Sequence, residues 1–298
     1  MMREEGCCET RKCSWKEDRP LTAVTIGKFD GFHLGHQLLL RTLKEFQNME
    51  QVVCKIVFPG PGLMTIEEQE TFVKEFGIHR FVKIPFSKEF AALPPETFVT
   101  DYLVKQLDVK HLVVGADFHF GYQRSGNVNT LKGLGRKYGF TVTALKKLEM
   151  DGSPISSTRI RSCYETGDVR TAMRILGRPV VIPGIVRHGK ELGRTIGFPT
   201  LNLIPEEDRL MPKYGVYASR VETSMGTFSG ITNIGLRPTV NKGEDVTVET
   251  YLPGFSGDLY DERIKVSLMD FIRPEQKFDS VEHLQEQMQK DVQFLDYT

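Results

Sequence analysis

Long apolar runs are missing from this 298-residue chain: none approaches the roughly 18 residues that a membrane-crossing helix needs. A charge excess of either sign is missing too. With 39 Lys+Arg against 39 Asp+Glu, a partner held by bulk electrostatics, nucleic acid above all, is not expected. Cysteine is scarce, five in all, and scattered: Cys7, Cys8 and Cys13 crowd the polar tail, Cys54 lies in an apolar run, and Cys163 follows an arginine-rich turn. An odd number at such spacing makes no disulfide framework. No second Cys or His pair stands near the tail cysteines to complete a tetrahedral metal site. The N-terminal stretch has no apolar core of the secretory kind, so a cytoplasmic protein with no membrane partner is the expectation. No GxxxxGK[ST] occurs, which excludes a Walker-type phosphate loop.

What is present is an ordinary globular mixture, 40% hydrophobic and 26% charged, on a chain long enough for two domains. Residues 1–18 read as a flexible extension. From 19 to 176, apolar runs at 21–27, 52–58, 81–86, 111–118 and 140–148 alternate with helical spacing at 36–47, 67–77 and 96–107. That order predicts an α/β domain, a parallel sheet covered on both faces. Past Gly177-Arg178-Pro179 the runs become short and alternating, with Gly and Pro between them. They predict an antiparallel β-barrel over 177–298, ended by an amphipathic helix at 280–295. The fold class is therefore α/β plus β, and the piece from about Arg178 onward has the size of a domain that folds alone.

The densest chemical signal is Gly27-Lys28-Phe29-Asp30-Gly31-Phe32-His33-Leu34-Gly35-His36, at the end of the first strand and the start of the first helix. Glycines there let backbone N–H groups approach phosphate, and a helix N-terminus favours anions. His33 and His36, three apart, can face one ligand and stabilise charge developing at a phosphorus atom. The plainer reading makes one histidine a helix cap and the other a satisfied core residue. A second cluster, Ser156-Ser157-Thr158-Arg159-Ile160-Arg161, opens another helix. It suits a triphosphate, because arginine forks onto two oxygens; alone, it is equally a capping segment.

GKFDGFHLGH together with ISSTRIR resembles the nucleotidyltransferase superfamily, and VVGADFHFGYQRSG narrows the likeness to FMN adenylyltransferases. The second half carries GRTIGFPTLNL, YGVYA, NIGLRPT, VETYL, LYDERI and IRPEQKF in the order seen in riboflavin kinases. From about residue 21 the chain resembles bacterial bifunctional riboflavin kinase/FAD synthetases. The resemblance implies a Rossmann-like nucleotidyltransferase domain that transfers AMP from ATP to FMN, releasing pyrophosphate, and a barrel domain that phosphorylates riboflavin. It implies roles for His33, His36, Ser157 and Arg161 on ATP phosphates. Gly27, Phe29, Asp30, Gly31, Gly35, Ser156 and Thr158 would complete the nucleotide site, and Asp117, Phe118, Gly121 and Arg124 would shape the flavin pocket.

In the second half, Gly193-Arg194-Thr195-Ile196-Gly197-Phe198-Pro199-Thr200-Leu201-Asn202 is either a phosphate-wrapping turn or a plain hairpin turn and strand. Thr200 and Asn202 offer hard oxygens of the kind Mg²⁺ prefers. Glu249 shares a strand face with Thr247 and Tyr251, as a proton acceptor or as a solvated cross-strand charge. The resemblance implies Gly193 and Gly197 around ATP, Thr200 and Asn202 on Mg²⁺, and Glu249 as the general base on the ribityl 5′-hydroxyl. Riboflavin, FMN, FAD and ATP are the implied small-molecule partners.

The chain also departs from the family pattern. Lys28 replaces the usual asparagine, Pro253-Gly254-Phe255 follows VETYL, and Asp261 stands in LYD. The loop after the second strand, Phe58-Pro59-Gly60-Pro61-Gly62-Leu63, is short and lacks the family's His-Pro pair. A loop there borders the ligand crevice of a doubly wound sheet, so its shortening predicts that FAD formation is the weaker activity. Two alternatives follow: a riboflavin kinase whose first domain is weak or altered, and a flavin-binding protein without catalysis.

Overall fold

The computed structural model describes residues 21–188, 197–206, 208–239 and 243–297. The expected extension 1–18, with Cys7, Cys8 and Cys13, lies outside these residues, as does Gly193. The chain runs β1 (Thr22–Gly27), α1 (Leu34–Lys44), β2 (Glu50–Val57), α2 (Ile66–Glu75), β3 (Arg80–Pro85), a short α3 (Lys88–Ala91), and α4 (Pro95–Phe98), which continues as a π-helix over Val99–Gln106. Then come β4 (Val109–Gly115), α5 (Val128–Tyr138), β5 (Thr141–Leu145), a small hairpin of β6 (Glu149–Met150) and β7 (Ser153–Pro154), α6 (Ser157–Thr166) and α7 (Val169–Leu176). The second half is β8 (Val180–Arg187), β9 (Thr200–Leu203), β10 (Gly215–Thr223), β11 (Gly226–Thr239), β12 (Gly243–Tyr251), β13 (Arg263–Arg273) and α8 (Val281–Gln293).

The first five strands form one parallel sheet, ordered β3-β2-β1-β4-β5. Alternation along the strands sorts the apolar residues onto two faces. Val24, Val52, Leu112 and Val114 pack with Phe98, Leu103 and Leu131 on one side. Ala23, Val53 and Val113 pack with Leu40, Leu43 and Val73 on the other. The leucines at 39, 40 and 43 thus face the sheet, as their helical spacing requires. The strand order changes direction at β1, and the loops at the C-terminal strand ends there open a crevice.

The remaining six strands close an antiparallel barrel, β10-β11-β12-β9-β8-β13. Ile182, Val221, Ile234, Val248 and Val266 fill it. Helices α6 and α7 belong to the same apolar cluster through Ile160, Tyr164, Ala172, Ile175 and Leu176. They therefore pack on the barrel although they precede it in sequence, and Leu34 and Leu63 from the first half join the same cluster. At the turn into β8, Gly177 has φ +68, and a Cβ there would lie 2.4 Å from Leu34 Cδ2, so only glycine fits. Across this joint Arg209 pairs with Glu68 of α2, both largely buried, and its guanidinium also donates to the Val181 carbonyl. Cys54 and Cys163 are free and buried. Among the described residues no helix is long and apolar enough to cross a membrane.

Candidate functional site

A cavity of about 630 Å³ opens at the C-terminal edge of the parallel sheet. Its floor is laid out by the strand order: the ends of β3, β2, β1, β4 and β5 contribute in turn Phe86, Phe58, Lys28, Asp117 with Phe118, and Lys146 with Lys147. One wall is aromatic. Phe58 stacks on Phe86 at 4.3 Å between ring centroids, Phe90 meets Phe98 edge-on at 5.8 Å, and Phe120 joins Phe98 at 5.3 Å and Phe118 at 5.7 Å. Such a surface accepts a flat conjugated ring.

The opposite wall is the turn into α1. His33 is the N-cap residue, and its Nδ1 accepts from the His36 backbone N–H at 3.3 Å. A neutral imidazole that accepts at Nδ1 carries its proton on Nε2, a donor available to a ligand. The two rings stack at 3.7 Å. Burial pushes His33 down to about 4 and His36 well below its ordinary value, so both rings are neutral at neutral pH. His36 Nδ1 is buried without a partner. Gly35 permits this packing, because a Cβ there would stand 3.2 Å from the His33 ring. His33 thus both caps α1 and lines the cavity.

Not every expected residue meets the cavity. Gly27, Phe29, His33, Gly35, His36, Asp117, Phe118, Gly121, Arg124, Ser156 and Ser157 line it; Asp30, Gly31, Thr158 and Arg161 do not. Asp30 and Arg161 instead form a clamp just behind it. Arg161 donates to Asp30 Oδ2 through Nη2 (2.7 Å) and Nε (3.2 Å) and to the Pro61 carbonyl at 3.0 Å. Ser157 Oγ donates to the Asp30 carbonyl at 2.7 Å. Ser156 caps α6, accepting from Arg159 N. Thr158 is exposed on the first turn of α6, and Gly31 faces a separate void of about 50 Å³ against Arg178 and Tyr164.

The short loop after β2 turns out to face the barrel. Gly62 N donates to the Asp208 carbonyl at 2.9 Å, and Leu210 N to the Gly62 carbonyl at 2.7 Å. Phe58 borders the cavity, but residues 59–62 do not. Shortening this loop therefore bears on the contact with the barrel and not on the lining of the cavity.

On the barrel, strand register assembles the second cluster. Glu249 of β12 lies directly opposite Asn202 of β9 on one side and Asn233 of β11 on the other; Tyr251 lies opposite Thr200. Val248 and Thr250 point into the barrel and are fully buried, so Glu249 and Tyr251 take the outer face. Asn233 Nδ2 donates to Glu275 Oε1 at 3.2 Å, and Phe198 meets Tyr251 edge-on at 5.0 Å. Gly197 has φ +83 with open space around its α-carbon. The described residues contain no group of three or more His, Cys, Asp or Glu side chains placed to hold a metal. The hard oxygens of Thr200, Asn202 and Glu249 sit on neighbouring register positions instead.

Sequence reasoning missed the phenylalanines at 58, 86, 90, 98 and 120, together with Asn233, Glu275 and the buried Lys55. The phenylalanines carry no motif and read as core. Lys55, interrupting an apolar strand, was a visible signal.

Residues 15–159 match the FAD synthetase family model and residues 176–297 the riboflavin kinase model. The bifunctional riboflavin kinase/FMN adenylyltransferase of Escherichia coli (strain K12) is 38% identical over 283 residues, 90% of each chain. That of Pseudomonas fluorescens is 37% identical over 282 residues, again 90% of each. The Bacillus subtilis (strain 168) relative is 33% identical over 295 residues, 93% of this chain and 92% of that one. The crystal structure of a macrolide-efflux protein from Streptococcus pneumoniae matches with a TM-score of 0.83 at 30% identity, covering 94% of this chain and 95% of that one.

Proposed function

The chain belongs to the bifunctional riboflavin kinase/FMN adenylyltransferase family, and from that premise we propose how its two sites divide the work. It is an enzyme of flavin cofactor synthesis: riboflavin and ATP give FMN and ADP, then FMN and a second ATP give FAD and pyrophosphate. Both halves match catalytic families, and neither a degenerate binding protein nor a kinase with an altered first domain gains support. We place the protein in the cytoplasm, where ATP is available.

At the sheet, the phosphate of FMN attacks the α-phosphorus of ATP, and the bond to pyrophosphate breaks. We assign the flavin ring to the phenylalanine wall, with Asp117, Phe118, Gly121 and Arg124 around it. The nucleotide phosphates belong at the α1 turn, with Gly27, Gly35, Ser156 and Ser157. The neutral His33 and His36 act as hydrogen-bond donors to the charge that grows on the α-phosphoryl oxygens. Asp30 and Arg161 position that turn from behind, and Arg161 reaches phosphate only if it leaves Asp30.

At the barrel, Glu249 accepts the proton of the ribityl 5′-hydroxyl as its oxygen attacks the γ-phosphorus. Asn202, directly opposite Glu249, and Thr200, opposite Tyr251 two residues along, offer hard oxygens and are the residues that would hold Mg²⁺. When bound with ATP, that ion neutralises charge on the phosphoryl oxygens. Gly197 leaves room for the phosphate tail.

The observation that carries this reading is a single cavity with an aromatic wall facing a donor wall, the shape of a flavin ring next to a triphosphate. Incubating the purified protein with riboflavin, ATP and Mg²⁺ and separating the products by chromatography tests it. FMN and then FAD are expected. FMN alone would refute the role given to the cavity.

A further inference from the structure

We propose that Lys28 is the cation that binds the triphosphate of ATP at the adenylyl-transfer cavity, an inference resting on the reading of that cavity given above. A triphosphate brings several negative charges to the α1 turn, yet most of the turn offers no net positive charge. His33 and His36 are neutral through burial. The Arg161 guanidinium is matched by Asp30, which accepts from two of its nitrogens.

Lys28 differs from these groups. It follows the last residue of the central strand β1, beside the α1 N-terminus, and its side chain lines the cavity. Its Nζ rests 4.2 Å from the centroid of the Phe58 ring and on no carboxylate among the described residues. Contact between an exposed ammonium and a phenylalanine ring is weak beside an ammonium–phosphate pair, so a phosphate displaces it. The side chain thus spans from the donor wall to the aromatic wall, the line along which ATP and the flavin must meet.

The backbone beneath it is fixed. Lys55, opposite Gly27 in the β1–β2 register and 7% exposed, donates from Nζ to the Lys28 carbonyl. Of the other cations at the cavity, Lys147 is near enough to His33 to bear on its charge, but it pairs with Asp117 at 2.8 Å; Lys146 follows β5, two strands away from β1. Arg124 sits in the loop beyond Gly121.

The test compares the parent with Lys28→Met and Lys28→Arg in FAD formation from FMN and ATP, and in the reverse reaction from FAD and pyrophosphate. Lys28→Met should raise KM for ATP and for pyrophosphate about tenfold, the loss of one charge-assisted contact, with most of the fall in kcat/KM appearing in KM. Its KM should also respond less steeply to added salt than that of the parent. Lys28→Arg should restore both. FMN formation at the barrel, measured on the same samples, reports that each variant is folded. If the parent makes FAD and Lys28→Met matches it in KM and salt response, Lys28 is not the phosphate cation. If the parent makes no FAD, the reading of the cavity fails and this one fails with it.

Discussion

The two clusters are built by opposite means. At the parallel sheet the contributing residues come from the C-terminal strand ends, the loops beyond them and the first turns of the helices that follow. Right-handed crossovers bring together positions as far apart as His33 and Ser157. The result is an open crevice with buried, neutral imidazoles on one wall. At the barrel, Asn202, Glu249 and Asn233 sit on the strands themselves, side by side because antiparallel register sets them so. That cluster is an outer face, with its carboxylate near solvent. A crevice walled by neutral donors on one side and aromatic rings on the other suits the proposed reaction, in which charge develops at phosphorus between two ligands. An open strand face suits positioning one hydroxyl against a phosphate tail.

If the sites are as separate as their construction, single substitutions should split the activities. The largest effect is expected for Glu249→Gln, which should slow FMN formation by about 10²–10⁴, the range for loss of a general base, while FAD formation from FMN persists. Equal loss of both activities in a folded variant would break the comparison. Next come His33→Ala and His36→Ala, each expected to slow FAD formation by about 10²–10³ as one donor to the transition state is lost. FMN formation should be unchanged, and parental FAD rates in both variants would leave only the capping role of His33.

The Arg209–Glu68 pair tests the opposite idea, that the two regions share one fold. Arg209→Met leaves a buried carboxylate uncompensated and should cost about 3–5 kcal/mol of unfolding free energy in denaturant melts. The double variant Arg209→Met/Glu68→Gln should recover much of that. No loss in the single variant would mean that sheet and barrel are joined by α6 and α7 alone. On the same reasoning, a barrel fragment starting at Arg178 leaves behind nine of the 22 buried residues of one apolar cluster, whereas one starting near Ser153 keeps α6 and α7. The longer fragment should be the more stable.

The smallest effect concerns pH. Folded His33 takes up its proton only near about 4, whereas the unfolded chain does so near the ordinary 6.5. Between those values the unfolded state binds more protons, so stability falls as pH drops through the window. His33→Gln should flatten this fall in thermal midpoint relative to the parent; an identical slope would show that His33 is not held neutral by burial.

Much of this was legible in the residue order. Strand–helix alternation up to residue 176 and short alternating runs after it specified the parallel sheet and the barrel, because side-chain period follows directly from backbone geometry. The HxGH turn and the serine–arginine cluster were legible as candidates for phosphate chemistry, the second equally as a capping segment, because both put glycine or polar side chains at helix starts. Only the tertiary structure decided which of them face the cavity. Thr158, one residue and about 100° round α6 from Ser157, turns to solvent, whereas Arg161, four residues on and so on nearly the same face, meets Asp30 as Ser157 does. The phenylalanine wall was invisible because each ring alone reads as core, and only five strand ends meeting in one crevice make the rings a surface. The short loop after β2 was visible as a deletion. Its pairing with residues 208–210 was not, because a contact spanning nearly 150 positions leaves no local trace in sequence.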